Sequence, residues 1–132
     1  MSDFFIKSVN SDISVHFSDI DGDYFRVSIN SETISATRRI WAFTDSYMLA
    51  DLLEFLANKN APWNGIEKWS SLENEFSIQI TCTSLGKVTF QIELTDIGKD
   101  EDWRAIVQVQ SELGQLKSIA NKARAFFGKS PD

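Results

Sequence analysis

The sequence predicts an α+β fold, a twisted antiparallel sheet of about seven strands in the order ββββ-α-βββ-α with two helices packed on one face. Two observations predict it. Apolar and polar residues alternate with period two in one segment after another, the signature of antiparallel strands with a single buried face. In two places the apolar spacing lengthens to three and four, as on an amphipathic helix, and Gly, Asp and Asn separate the segments as turn formers.

The first strand is expected in FFIKSV, residues 4–9. In ISVHFSDI, residues 13–20, Ile13, Val15 and Phe17 share a face; after Asp21-Gly22, the signal of a type I′ hairpin, Phe25, Val27 and Ile29 do the same. These two segments should pair directly. The fourth segment, 32–43, aligns Ile34, Ala36 and Ile40 but sets Trp41 and Phe43 off that parity, which a bulge near Arg38-Arg39 would explain. From Thr44 the period becomes helical, with Met48, Leu52, Phe55 and Leu56 as the stripe, Thr44 or Asp45 as N-cap, and an end near Asn58 ahead of Pro62.

The second run of strands aligns Phe76, Ile78, Ile80 and Cys82, then Val88, Phe90, Ile92 and Leu94 after a Leu-Gly turn, then Trp103, Ala105, Val107 and Val109. The closing helix runs from about Leu113 to Phe127, with Leu116, Ile119, Ala120, Ala123 and Phe127 as its stripe and Gly128 as its stop. No internal repeat or linker interrupts the chain, so residues 1–132 read as a single domain.

Between the first helix and the second run lies PWNGIEKWSSLENEF, residues 62–76, which has neither period. Asn64-Gly65 permits a positive-φ turn, and Trp63 and Trp69 read as plugs sealing the end of the core. The alternative makes them the wall of a pocket with Arg38, Arg39 and Trp41. Counting back from Phe76 places Trp69 with Ser71 and Ser77 on the outer face, which keeps that pocket open.

The chain has 132 residues, 42% hydrophobic, with ten Phe and four Trp, enough apolar area for a core without disulfides or structural metal. Thirteen basic residues stand against nineteen acidic ones. The resulting charge of −6 argues against a nucleic-acid partner, because phosphate repulsion opposes binding. With no basic leader, no apolar run of membrane length and one Cys, the expectation is a cytoplasmic protein that neither crosses nor binds a membrane.

Phe55-Leu56-Ala57, Trp63-x-Gly65, Lys68-Trp69-x-Ser71-Leu72-Glu73-x-Glu75-Phe76 and the hairpin from Leu85 to Phe90 together resemble an uncharacterised family of small bacterial proteins, domain of unknown function 6228. The resemblance implies a bacterial origin and a small α+β domain. In that family Gly often stands at the place of Asn74 and His at the place of Lys87, and the family brings no catalytic residues to carry over. Small acidic domains of this build are also similar in class to immunity proteins that neutralise toxins.

No constellation announces catalysis, and neither a cofactor nor a metal is expected. Cys82 falls among core positions and His16 faces outward, so a Cys/His pair does not form. One Cys and one His are too few for zinc. Asp19-x-Asp21-x-Asp23 lacks the Gly and Glu of an EF-hand loop, which become Tyr24 and Asn30 here. Glu73 and Glu75, two apart, point the same way rather than opposing each other across a sugar.

What remains is surface. The outer strand positions are mostly hydroxyls and amides, Gln108 among them, with Arg26, Arg104 and Ile106 as possible anchors. Two turns are acidic, Asp19/Asp21/Asp23 and Asp96/Asp100/Glu101/Asp102. Negative loops on a rigid sheet steer toward a basic partner. The expectation is therefore a non-enzymatic protein-binding domain, an immunity-type inhibitor that covers a toxin's basic surface, with Asp19, Asp21, Asp23, Asp100, Asp102, Arg26, Arg104 and Gln108 at the contact. Self-association through the same face is the second partner reading. A small-molecule site or enzyme pocket near Trp41, Trp63 and Trp69 is the alternative function.

Overall fold

A computed structural model of the chain describes residues 3–42, 45–98 and 101–129. The first half is a meander of four antiparallel strands, β1 (Phe4–Lys7), β2 (Ser14–Asp21), β3 (Tyr24–Asn30) and β4 (Ser35–Trp41), followed by helix α1 (Tyr47–Lys59). The second half repeats the order with β5 (Glu67–Ser70), β6 (Phe76–Cys82), β7 (Lys87–Ile97) and β8 (Asp102–Glu112), a 3₁₀ turn at Leu113–Gln115, and helix α2 (Leu116–Phe127). The α+β class holds, with the strands divided between two sheets of four. The eighth strand, β5, lies in the stretch whose sequence showed no period.

Alternation does what it predicts in both sheets. Val15, Phe17, Phe25, Val27, Ile29 and Ile40 from the first are fully buried, as are Phe76, Ile78, Ile80, Val88, Phe90, Ile92 and Leu94 from the second. Each such side chain contributes roughly 1.5–3 kcal/mol relative to exposure. The inner faces and both helices feed one core. Phe76 of the second sheet meets Phe17 and Phe25 of the first edge-on, at 5.9 and 6.2 Å between centroids. Phe127 of α2 meets the same two rings at 6.1 and 5.1 Å.

The helices pack against each other and are clamped by Arg124. Its guanidinium donates to both carboxylate oxygens of Glu54, at 3.0 and 2.7 Å, to Asp51, and to the Gly128 carbonyl at 2.7 Å. The hydrogen bonds from Arg124 hold the Glu54 carboxyl below its ordinary 4.5, outweighing the burial that pushes it up; the charges of Arg124 and Lys129 add to the lowering. Glu54 in turn raises the Arg124 guanidinium. The buried stripe of α1 is Leu49, Ala50, Leu53 and Leu56, so Met48 and Phe55, expected inside, face out. Apolar residues occupy more than half of this helix, and sequence alone leaves the phase of its buried face open. Ser46 is its N-cap, without a side-chain cap bond; Asp45 does not serve, and Thr44 lies outside the described residues.

Backbone irregularity lies in β2 rather than β4. The β3–β4 register runs unbroken from Tyr24↔Trp41 to Asn30↔Ser35, whereas β2–β3 shifts between Ser18 and Asp21. Asp19 adopts φ 53°, a left-handed conformation that Asp tolerates better than most residues, and Ser18 turns inward. The following loop is Gly22-Asp23 with positive φ at Gly22 alone, the pattern of a type II′ turn rather than type I′.

No bulge sets Trp41 off parity: it faces outward opposite Tyr24 in an unbroken register, Phe43 lies outside the described residues, and the irregular inward residue of β4 is Arg38. It sits on the inward side at a sheet edge, where its guanidinium reaches the Thr95 carbonyl at 3.2 Å and Asp96 at 3.6 Å on β7. At the opposite edge, the Val9 amide donates to the Gln110 carbonyl at 2.8 Å, and the Gln110 amide to Ser8 Oγ at 3.2 Å. The two sheets are thus tied together beside β4 and beyond β1.

Candidate functional site

The motif Ser71-Leu72-Glu73-x-Glu75-Phe76 is the β5–β6 turn and a joint between sheets. The Ser71 amide donates to the Phe76 carbonyl at 3.0 Å, and the Phe76 amide donates back to Ser71 Oγ at 3.2 Å. Asn74 takes φ 61°, a conformation that Asn and Gly accept. Glu75 is buried, and its carboxylate accepts from the Ser71 hydroxyl and from the Trp41 amide, the latter at 3.1 Å. A buried carboxylate needs such donors. They fix the last residue of β4 against the second sheet.

Trp69 and Trp63 support the core. Trp69 lies opposite Ile78, hence on the inner face, and its ring is 5.9 Å from Phe76. The intervening turn resets the strand parity that placed it outward. Trp63 is buried in the same core, and its indole N–H has no partner among the described residues. Both tryptophans thus act in packing, and neither lines the cavity at the end of β4. That cavity, about 420 Å³, is walled by Tyr24, Arg38, Arg39, Trp41, Glu73 and Glu75. The expected association of Trp41 with Arg38 and Arg39 is present there. A second cavity of about 300 Å³, lined by Asp19, Ile20, Asp21, Arg26 and Arg39, shares Arg39 with it.

The expected contact residues divide between the sheets. In the first sheet, Asp19 is ion-paired with Arg26 at 3.3 Å, so an acid and an expected anchor neutralise each other. Asp21 ends β2 and Asp23 lies in the turn. In the second, Asp102 Oδ1 accepts from the Gly98 amide at 3.1 Å, a turn-forming bond; Arg104 pairs with Glu93 at 3.0 Å; and Gln108 donates to Gln91 at 3.2 Å. Asp100 lies outside the described residues. Among the described residues, no hydrogen bond or ion pair joins the two acidic turns.

One feature had no sequence signal. Strand β6 pairs with Val88–Leu94 only, while β7 and β8 continue as a pair to Ile97 and Asp102. Residues 95–97 and 102–104 therefore form a two-stranded ribbon beyond the end of β6. Its Ile97 is 82% exposed and Trp103 is 38% exposed, although Trp103 shares the parity of buried Ala105 and Val107. Asp96, Glu101 and Asp102 surround them in sequence, and the Arg38–Asp96 pair braces the base. The strand lengths, which the alternation alone did not resolve, set this projection.

The reactive candidates are committed elsewhere. Burial pushes the Cys82 thiol up, against a backbone hydrogen bond from Trp63 that pulls it down, and this disfavours the thiolate. His16 faces outward on the other sheet, stacked on Phe5 at 4.2 Å and 3.1 Å from Asp3. Among the described residues, no group of three His, Cys, Asp or Glu is arranged to hold a metal ion, and no helix is long and apolar enough to cross a membrane.

No curated protein and no solved structure matches the chain. The family profile described as a family of unknown function (DUF6228) matches residues 6–130, nearly the whole sequence, and the chain belongs to that family.

Proposed function

We propose that this chain is a protein-binding domain, not an enzyme, and that it docks on and covers a basic surface of a protein partner as immunity proteins do with toxins. The observation that carries this reading is the β7–β8 ribbon. By the β7–β8 register Ile97 and Trp103 stand on opposite faces of this braced projection, so a partner that grips the ribbon from both sides meets a large apolar side chain on each. The acidic residues flanking them in sequence form a rim that favours a basic partner and speeds its approach. Asp21 and Asp23, on the first sheet, add to the same negative field.

The test is capture of partners from the source lysate at low and high salt, using the wild type, Glu101→Lys and Asp21→Lys/Asp23→Lys, with bound species identified by mass spectrometry. Glu101 is the cleaner ribbon position, because charge reversal at Asp102 would also remove the turn bond to Gly98. The expected result is a stoichiometric species that weakens with salt and is captured less by Glu101→Lys. Equal capture by all three proteins at both salt concentrations would contradict the electrostatic reading.

A further inference from the structure

The outer face of the first sheet holds an arginine, Arg39, whose guanidinium donors meet no acceptor among the described residues. Arg26 and Arg39 are direct cross-strand partners on β3 and β4, an arrangement that is repulsive unless offset. Asp19 offsets Arg26. Arg39 has no carboxylate within ion-pairing distance among the described residues; its guanidinium carbon lies over the Tyr24 ring, 4.1 Å from the centroid. A cation–π contact holds a guanidinium over a ring without using up its N–H donors, which can still meet a carboxylate or phosphate in pairs.

That arginine lies where the two cavities meet. The other charged groups deep in the larger cavity are occupied. Arg38 donates to the Thr95 and Arg39 carbonyls, at 3.2 and 2.6 Å, and pairs with Asp96. The Glu75 carboxylate is held by Ser71 and the Trp41 amide. Glu73 is solvent-exposed, where water screens its charge. The remaining wall is aromatic, since Tyr24 and Trp41 are themselves cross-strand partners two residues beyond Arg26 and Arg39, on the same face. A volume of about 420 Å³ is that of a small-molecule site.

We propose that this cavity binds a small aromatic oxyanion, a carboxylate or a phosphate ester, with its oxygens on the N–H donors of Arg39 and its ring against Trp41. The chemistry follows from the residues. A guanidinium edge matches carboxylate and phosphate geometry bidentately, and an indole takes a flat apolar ring. The proposal does not rest on partner binding by the ribbon, although Arg38 of the cavity wall also pairs with Asp96 on β7.

The experiment is a heteronuclear NMR titration of the full chain with benzoate and with phenyl phosphate in separate arms, and with benzyl alcohol as the neutral control. Either anion should produce saturable shifts at the Trp41 indole N–H and the Arg39 Nε–H, and the tighter arm identifies the headgroup. Arg39→Gln should weaken binding about tenfold or more. Arg39→Lys, which keeps the charge and loses the fork, should fall between, and Lys117→Gln, at an exposed position of α2, should leave binding unchanged. Absence of saturable shifts with both anions, equal shifts with benzyl alcohol, or undiminished binding by both folded Arg39 variants would overturn the proposal.

Discussion

The two halves of the molecule share one element order, four strands and a helix, yet they use it differently. The second half is regular. Strands β6, β7 and β8 alternate without a register shift, and their length yields a projecting ribbon. The first half breaks local rules, with a left-handed Asp19 and a register shift in β2, an arginine on the inward side of β4, and two arginines facing each other across a strand pair. Such departures concentrate where function or special joints require them. The difference is that the second half extends a ribbon past its own sheet, while the first turns charged side chains toward the joint where a cavity opens between the end of β4 and the β5–β6 turn.

The comparison breaks most readily at the core. If the halves were independent units, a large cavity in one would leave the other folded. Phe17 is fully buried and touches rings from both sheets and from α2, so Phe17→Ala should cost about 3–5 kcal/mol. Chemical denaturation followed through amide signals of both sheets should show a single transition at lower denaturant. Retention of second-sheet signals after loss of the first would separate the halves.

The helix clamp is the next largest effect. Arg124→Ala should destabilise by about 1–2 kcal/mol, because it removes hydrogen bonds to Glu54, Asp51 and Gly128 in a partly buried setting. The pH dependence has a defined sign. The Glu54 carboxyl is lowered in the folded state, so its contribution is present above its ordinary 4.5 and is lost as pH falls through the folded value. Glu54→Gln should flatten that part of the acid limb in a stability-versus-pH series; an unchanged acid limb would exclude Glu54 from it.

A smaller effect sharpens the view of the second half. Gly86 has φ +86°, and a Cβ there would meet only Leu113 Cβ at an ordinary 3.7 Å. Gly86→Ala should therefore cost about 1 kcal/mol through backbone conformation, with no steric addition. A much larger loss of melting stability would point to a packing role for this turn. Smallest in stability is the ribbon, where Ile97→Ser should change folding free energy by about 0.5 kcal/mol or less, as expected of an exposed position. A large loss there would assign Ile97 to the fold and weaken the docking reading.

Sequence pattern carried the regular half well and the irregular half poorly. The buried positions of β6, β7 and most of β8 follow their alternation, and Gly65, Gly86 and Gly128 take the positive φ expected of turns and stops. Strand β5 escaped because its four residues form an edge strand in a stretch rich in turn formers, and parity counted back through the 71–75 turn put Trp69 on the wrong face. Ile20, one residue off the Ile13-Val15-Phe17 parity, was the available sign of the β2 irregularity. Arg38 and Glu75 make their bonds to residues 57 and 34 positions away, and no local pattern encodes those distances. The acidic turns were visible as composition; the pairings that occupy Asp19, Arg26, Arg104 and Gln108 were not.

The most direct measurement of the central claim is binding kinetics between the captured partner and the chain, comparing wild type with Ile97→Ser/Trp103→Ser after both are shown to be folded by circular dichroism. The account predicts faster dissociation and at least a tenfold loss of affinity for the double variant, with the association rate still falling as salt rises. Wild-type affinity in the double variant would place the contact elsewhere and contradict docking through the β7–β8 ribbon.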